Sequence, residues 1–228
     1  MVISSQWWGI SQQLWIRFFS LLAFSGLFTR HVLYLPSYLS YSNQISGVML
    51  WVLEASILFG YCVAYSLRNS AVSQATGWKE LVFPFLPACL PFLFFLELDF
   101  SLPLQISKIF GASVIRYPDY LWHSLIFIFV GNFVSSIGLW TLRANFSIAT
   151  ECRQLVRYGI YRYVSHPMYV GQFITFFGVV FVRMTPQKVF LYILFVALQW
   201  IRLKNEEKKL KHNFKEYEEH LRACWIRL

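Results

Sequence analysis

The run LWHSLIFIFVGNFVSSIGLWTL, residues 121–142, continues for 22 positions without Asp, Glu, Lys or Arg. Coiled as an α-helix it extends about 33 Å at 1.5 Å per residue, the thickness of the hydrocarbon core of a bilayer. The stretch therefore reads as a transmembrane helix and sets the reading of its neighbours. Upstream, residues 14–28, 45–67 and 81–96 are similarly apolar; the second contains Glu54, and the third contains Pro84, Pro87 and Pro91. Downstream, residues 169–182 and 189–201 are shorter, and the six residues between them imply a tight helical hairpin. The expected fold is an all-α, polytopic transmembrane helical bundle of about six spans, the last two forming a short hairpin.

Composition supports this. The chain is 57% hydrophobic and only 14% charged, with 23 Phe, 13 Tyr and 9 Trp. A soluble domain of 228 residues needs more charge to cover its surface. The net charge of +9 would suggest nucleic acid in a soluble protein; in a membrane protein it marks basic cytosolic loops, so no nucleic-acid partner is expected. With both termini in the cytosol, fifteen Lys and Arg fall on the cytosolic side and five on the other. The cysteines, Cys62, Cys89, Cys152 and Cys224, have no metal-ligand spacing, and free thiols without a metal are expected. The first 28 residues read as a span, not as a removable signal.

Two segments break the apolar pattern: a basic, glycine-containing loop at 141–168 and a charged tail at 202–228. In the tail, Leu203, Leu210, Phe214, Tyr217 and Leu221 recur at helical spacing, which predicts an amphipathic helix continuing from the sixth span. No repeat or linker divides the chain. It reads as one domain, 1–228, with accessory spans in 1–120 and a core in 121–228 that carries both of these segments.

The chemistry concentrates where the loop re-enters the membrane. Pro167 suits the first turn of a helix, and the helix N-terminus it opens favours an anion. His166 stands immediately before that turn, and Tyr161, Tyr163 and Tyr169 supply flat rings for a purine or a cation. Where the sixth helix leaves the membrane, Arg202 and Glu206 are four apart and share a face. A molecule carrying both charges fits between that face and the loop. Each feature alone has a plainer reading: a capping histidine, a solvated charged face, an interfacial tyrosine belt.

Together, Leu155-Val156, Gly159-Ile160-Tyr161, His166-Pro167-Met168-Tyr169-Val170-Gly171, Arg202, Glu206-Glu207, Leu210, Phe214 and Tyr217 resemble the isoprenylcysteine carboxyl methyltransferase family, with its bacterial relatives and the related phospholipid methyltransferases. The resemblance spans residues 142–217, about a third of the chain. It implies an S-adenosyl-L-methionine-dependent methyltransferase, with the cofactor bound on the cytosolic side by Leu155, Val156, Tyr161, His166, Pro167, Met168, Tyr169 and Glu206. Arg202 would meet the acceptor. That acceptor would be the carboxylate of a prenylcysteine-like molecule entering from the bilayer or, alternatively, a phospholipid amine. The membrane would be a bacterial inner membrane or the endoplasmic reticulum. Two positions depart from the family pattern: Ser165 replaces a frequent Arg, and Arg153 replaces a frequent His that contacts the cofactor.

Overall fold

The computed structural model describes residues 2–36, 44–95, 121–182 and 184–228. The end of the span at 81–96 and the basic residues Lys108, Arg116 and Arg183 lie outside the described residues. The helices are α1 (Val2–Leu33), α2 (Gln44–Ser66), α3 (Gly77–Leu81), α4 (Phe85–Phe95), α5 (Leu121–Leu142), α6 (Pro167–Val182), α7 (Pro186–Asn213) and α8 (Tyr217–Ala223). Among the described residues there is no named strand, only two isolated bridges. The architecture is all-α.

Among the described residues, three helices are long and apolar enough to cross a membrane, over Leu14–Leu33, Gly47–Ser66 and Trp122–Asn145, and α6 carries a shorter apolar stretch, Pro167–Phe181. On α1, Leu14, Phe18 and Leu22 are each more than half exposed, as side chains that face lipid would be. The segment read as a third span is not one continuous helix. It breaks at 82–84, where the Phe85 N–H donates to the Val82 carbonyl in a turn and Pro84 has no N–H to continue the α3 ladder. The hairpin does form: α7 begins at Pro186 behind Thr185, whose side chain accepts from the Lys188 N–H at 3.2 Å.

Helices α5 and α6 approach most closely where Gly131 and Ser135 meet Gly171 and Thr175, while Gly138 packs on Met168 and Gly178 on Ile128 and the Ser124 carbonyl. A Cβ added at Gly171 would lie 2.6 Å from the Gly131 carbonyl oxygen, and one added at Gly131 would lie 2.6 Å from that of Gly171. Such close backbone approach is the usual means of helix association in lipid, where hydrophobic burial gives no drive. The contact fixes the start of α6, and with it His166 and Tyr169.

The tail helix is broken too. The Phe214 N–H donates to the Leu210 carbonyl at 2.9 Å as α7 ends, and α8 starts afresh at Tyr217. The chain beyond α8 then folds back on the loop: the Ser165 N–H donates to the Ile226 carbonyl at 3.0 Å, and the Trp225 N–H donates to the Tyr163 carbonyl at 2.9 Å. From the other side, the connection after α2 straps the same loop. The Cys152 N–H donates to the Ser73 carbonyl at 2.9 Å, and the Thr150 N–H to that of Glu80 at 2.9 Å. Gly159 turns the loop toward Tyr161 with φ of +60°, a conformation that disfavours any side chain.

Candidate active site

A cavity of about 1060 Å³ opens between the loop, α6 and α7. Of the residues expected to form the site, Leu155, Val156, Tyr161, His166, Met168, Tyr169, Arg202 and Glu206 line it. Pro167 is not on its wall; it opens α6 and is fully buried. Its part is to set the helix start, where the Tyr169 and Val170 N–H groups both donate to the His166 carbonyl at 3.1 Å.

The His166 side chain is therefore free of the capping role its position suggested. Its Nε2 lies 3.0 Å from the Tyr217 hydroxyl and 3.5 Å from Glu207 Oε1. Glu207 in turn accepts from Lys204 Nζ at 3.0 Å. Burial pushes the Glu207 carboxyl up, but the hydrogen bonds from His166 and Lys204 outweigh it and hold the group below its ordinary value. Sequence spacing put Glu206 on the face of Arg202 and named no partner for Glu207. In the fold the two divide the work: Glu207 anchors His166 behind the wall, and Glu206 faces the cavity, where its Oε2 accepts the Tyr169 hydroxyl at 2.7 Å.

Arg202 is held from two sides. Its Nη2 donates to the Ile148 carbonyl at 3.0 Å, and its guanidinium lies 5.5 Å from the centre of the Tyr169 ring. Ile148 is itself fixed by its N–H to Tyr65 Oη at 3.1 Å, so α2 helps to aim Arg202. Burial, and secondarily the Glu206 charge, raise the Tyr161 hydroxyl well above its ordinary value; burial and the Glu207 and Glu206 charges do the same for Tyr217. Both rings are thus neutral walls at physiological pH.

Sequence reasoning missed several lining residues. One turn from Tyr169 and from Arg202, Gln172 and Gln199 pair across the hairpin at 2.6 Å, leaving Gln199 Oε1 buried without a partner. Glutamines inside apolar helices were the available signal. Trp15, Phe19 and Phe24 of α1 and Phe85 and Pro87 of α4 form the far wall of the cavity. Nothing in their sequence separates them from lipid-facing neighbours.

Residues 120–217 match the phospholipid methyltransferase family, which belongs to the isoprenylcysteine carboxyl methyltransferase-like superfamily. The matched segment holds the loop, α6 and α7, and the resemblance read from its motifs stands. With the apolar helices, the match marks the chain as a membrane methyltransferase. No curated protein sequence matches the chain significantly.

Proposed function

We propose that this protein transfers a methyl group from S-adenosylmethionine to the carboxylate of a prenylcysteine-like lipophilic acceptor, at the cytosolic face of a membrane it crosses several times. One observation carries the reading. Arg202 and Glu206 lie one helical turn apart on the wall of a single cavity that continues between apolar helices. The cavity is roomy enough for a nucleoside and an acceptor together, since small-molecule pockets run to about 300–1,000 Å³. Leu155, Val156 and Met168 offer apolar contact and Tyr161 a neutral ring to an adenosine, and Glu206 offers a carboxylate to a cationic donor.

Bound there, S-adenosylmethionine supplies an electrophilic methyl on a sulfonium. The chain's own part is alignment and exclusion of water. A carboxylate acceptor needs no general base. Arg202 orients it through the N–H groups not given to Ile148, and a planar guanidinium does this better than a point charge. Arg202 lies a turn nearer the apolar helices than Glu206, so it meets an acceptor arriving sideways from the bilayer while the donor enters from the cytosol.

A second reading, methylation of a phospholipid amine, is favoured by the family that matches residues 120–217 and by the Gln172–Gln199 pair, which suits ester carbonyls better than a prenyl chain. An amine must lose a proton, and Glu206 or His166 would take it. Detergent-purified protein given labelled methyl donor and, separately, N-acetyl farnesylcysteine and phosphatidylethanolamine distinguishes the two. Label in the ester of the first compound supports the carboxylate reading. Label only in the phospholipid replaces it with the second, and label in neither overturns both.

A further inference from the structure

A second charged cluster, centred on Glu151, borders the same cavity. Glu151 Oε2 accepts hydrogen bonds from Arg153 Nη2 at 2.6 Å, from Ser147 Oγ at 2.9 Å and from Arg68 Nη2. The side chains are nearly dry: Arg153 is 1% exposed, Glu151 2% and Arg68 4%. Two guanidiniums thus share one carboxylate oxygen, and the cluster keeps one positive charge uncompensated. Nε and Nη1 of both arginines are buried with no hydrogen-bond partner. Ser147 Oγ also receives Arg68 Nη2 at 3.0 Å, and the Arg68 guanidinium lies 5.0 Å from the Tyr65 ring centre, but neither contact adds negative charge.

A dry, unpaired charge is costly unless a counter-ion completes it, and a purely structural tie between loop and strap would need one arginine. Arg153 and Glu151 line the cavity, whereas Arg68, from the strap after α2, stands behind them. We infer that Arg153, backed by Arg68, is an anion-binding position on the cavity wall that takes a carboxylate or phosphate of a molecule bound there. This rests on the reading of the cavity as the site of S-adenosylmethionine and a lipophilic acceptor. The anion is then either the amino-acid carboxylate of the donor or the anionic group of the acceptor. Burial and the facing Arg68 charge, only partly offset by Glu151, lower the proton affinity of Arg153, as expected of a cation short of partners.

The test uses the full chain in detergent, with Arg153→Gln, Arg153→Lys and Arg68→Gln. Calorimetry compares S-adenosylhomocysteine with its decarboxylated counterpart, which keeps the amine. If the anion is the donor's, the wild type prefers the carboxylate-bearing compound roughly tenfold or more; Arg153→Gln abolishes the preference, and Arg153→Lys and Arg68→Gln keep part of it. If that preference survives in Arg153→Gln while the KM for N-acetyl farnesylcysteine or phosphatidylethanolamine rises roughly tenfold, the anion is the acceptor's. If neither selectivity nor KM moves, or only thermal stability falls, the cluster is a structural tie and the inference is overturned. A wild type that binds neither adenosyl compound rejects the proposed function. The subsite is then judged by inorganic phosphate at constant ionic strength: a raised melting midpoint in wild type but not in Arg153→Gln upholds it, and no shift overturns it.

Discussion

The cavity has two unlike walls. The wall from α1 and α4 is apolar, with Phe19, Phe24 and Phe85. The opposite wall, from the loop, α6 and α7, holds its charges in linked contacts: Tyr169 to Glu206, Arg202 to Ile148, His166 to Tyr217 and Glu207. An apolar wall binds by shape and area, and each residue contributes modestly. A linked polar wall is less forgiving, because removing one member leaves others buried and unpaired. Substitutions should therefore grade smoothly on one side and act nearly all-or-none on the other.

The largest effect should come from the seam beneath the polar wall. Gly171→Leu places a side chain against the Gly131 carbonyl and Ser135, neither of which can move without parting α5 from α6. We expect loss of monodisperse protein in detergent, and the milder Gly171→Ala should cost about 1–3 kcal/mol, the range for overpacking, read as a lowered melting midpoint. Gly26, around which an added Cβ meets nothing within 4 Å, is the control and should tolerate Ala.

On the polar wall itself, Arg202→Lys should keep donor affinity near normal and lose most turnover with a carboxylate acceptor, because an ammonium cannot hold both the Ile148 carbonyl and a carboxylate in one plane. Steady-state kinetics with each substrate varied in turn reads this directly. Weakened donor affinity with turnover intact at saturation would move Arg202 into the donor site. On the apolar wall, Phe19→Ala and Phe24→Ala should each raise the acceptor KM several-fold, from lost apolar contact of about 1–2 kcal/mol, and leave donor affinity alone. If either abolishes activity, the contrast between the walls is wrong.

The smallest effect is in pH. Burial lowers the His220 pKa, with the Arg157 and His166 charges adding to it. The folded chain thus binds fewer protons here than the unfolded chain, and stability falls as pH drops below the ordinary histidine value of about 6.5. Glu207, also depressed, adds a second loss only in the acid range below the ordinary carboxylate value. His220→Gln should flatten the first slope in a melting-midpoint profile and leave the second.

What was legible in the sequence follows the same division. The helix start at Pro167 announces itself, because proline at N1 is a local signal, whereas the start at Pro186 fell inside the connection read at 183–188. The spacing of Arg202 and Glu206 encodes one face of α7, and the hairpin brings it to His166 and Tyr169. The break at Pro84 was visible as a proline but not as a stop, since apolar helices in lipid tolerate proline. Tyr65 and Arg68 were invisible as site residues. They act through contacts more than 70 positions away in the chain, Tyr65 to Ile148 and Arg68 to Glu151, and no periodicity reports such pairing. The contact of Glu207 with His166 was hidden for a related reason. A helical wheel gives direction but not the identity of the neighbour, and His166 happened to wait on that side.

The central claim is that the loop and α7 together hold a sulfonium methyl donor against Glu206. Calorimetric titration of the detergent-purified chain with S-adenosylmethionine, in the absence of any acceptor, tests it most directly, comparing wild type with Glu206→Gln and His166→Ala. Saturable single-site binding in the wild type, weakened in each variant by the about 1.5–3 kcal/mol of a lost charge-assisted hydrogen bond, is the predicted result. No binding by folded wild-type protein, or the same affinity in all three, would contradict it.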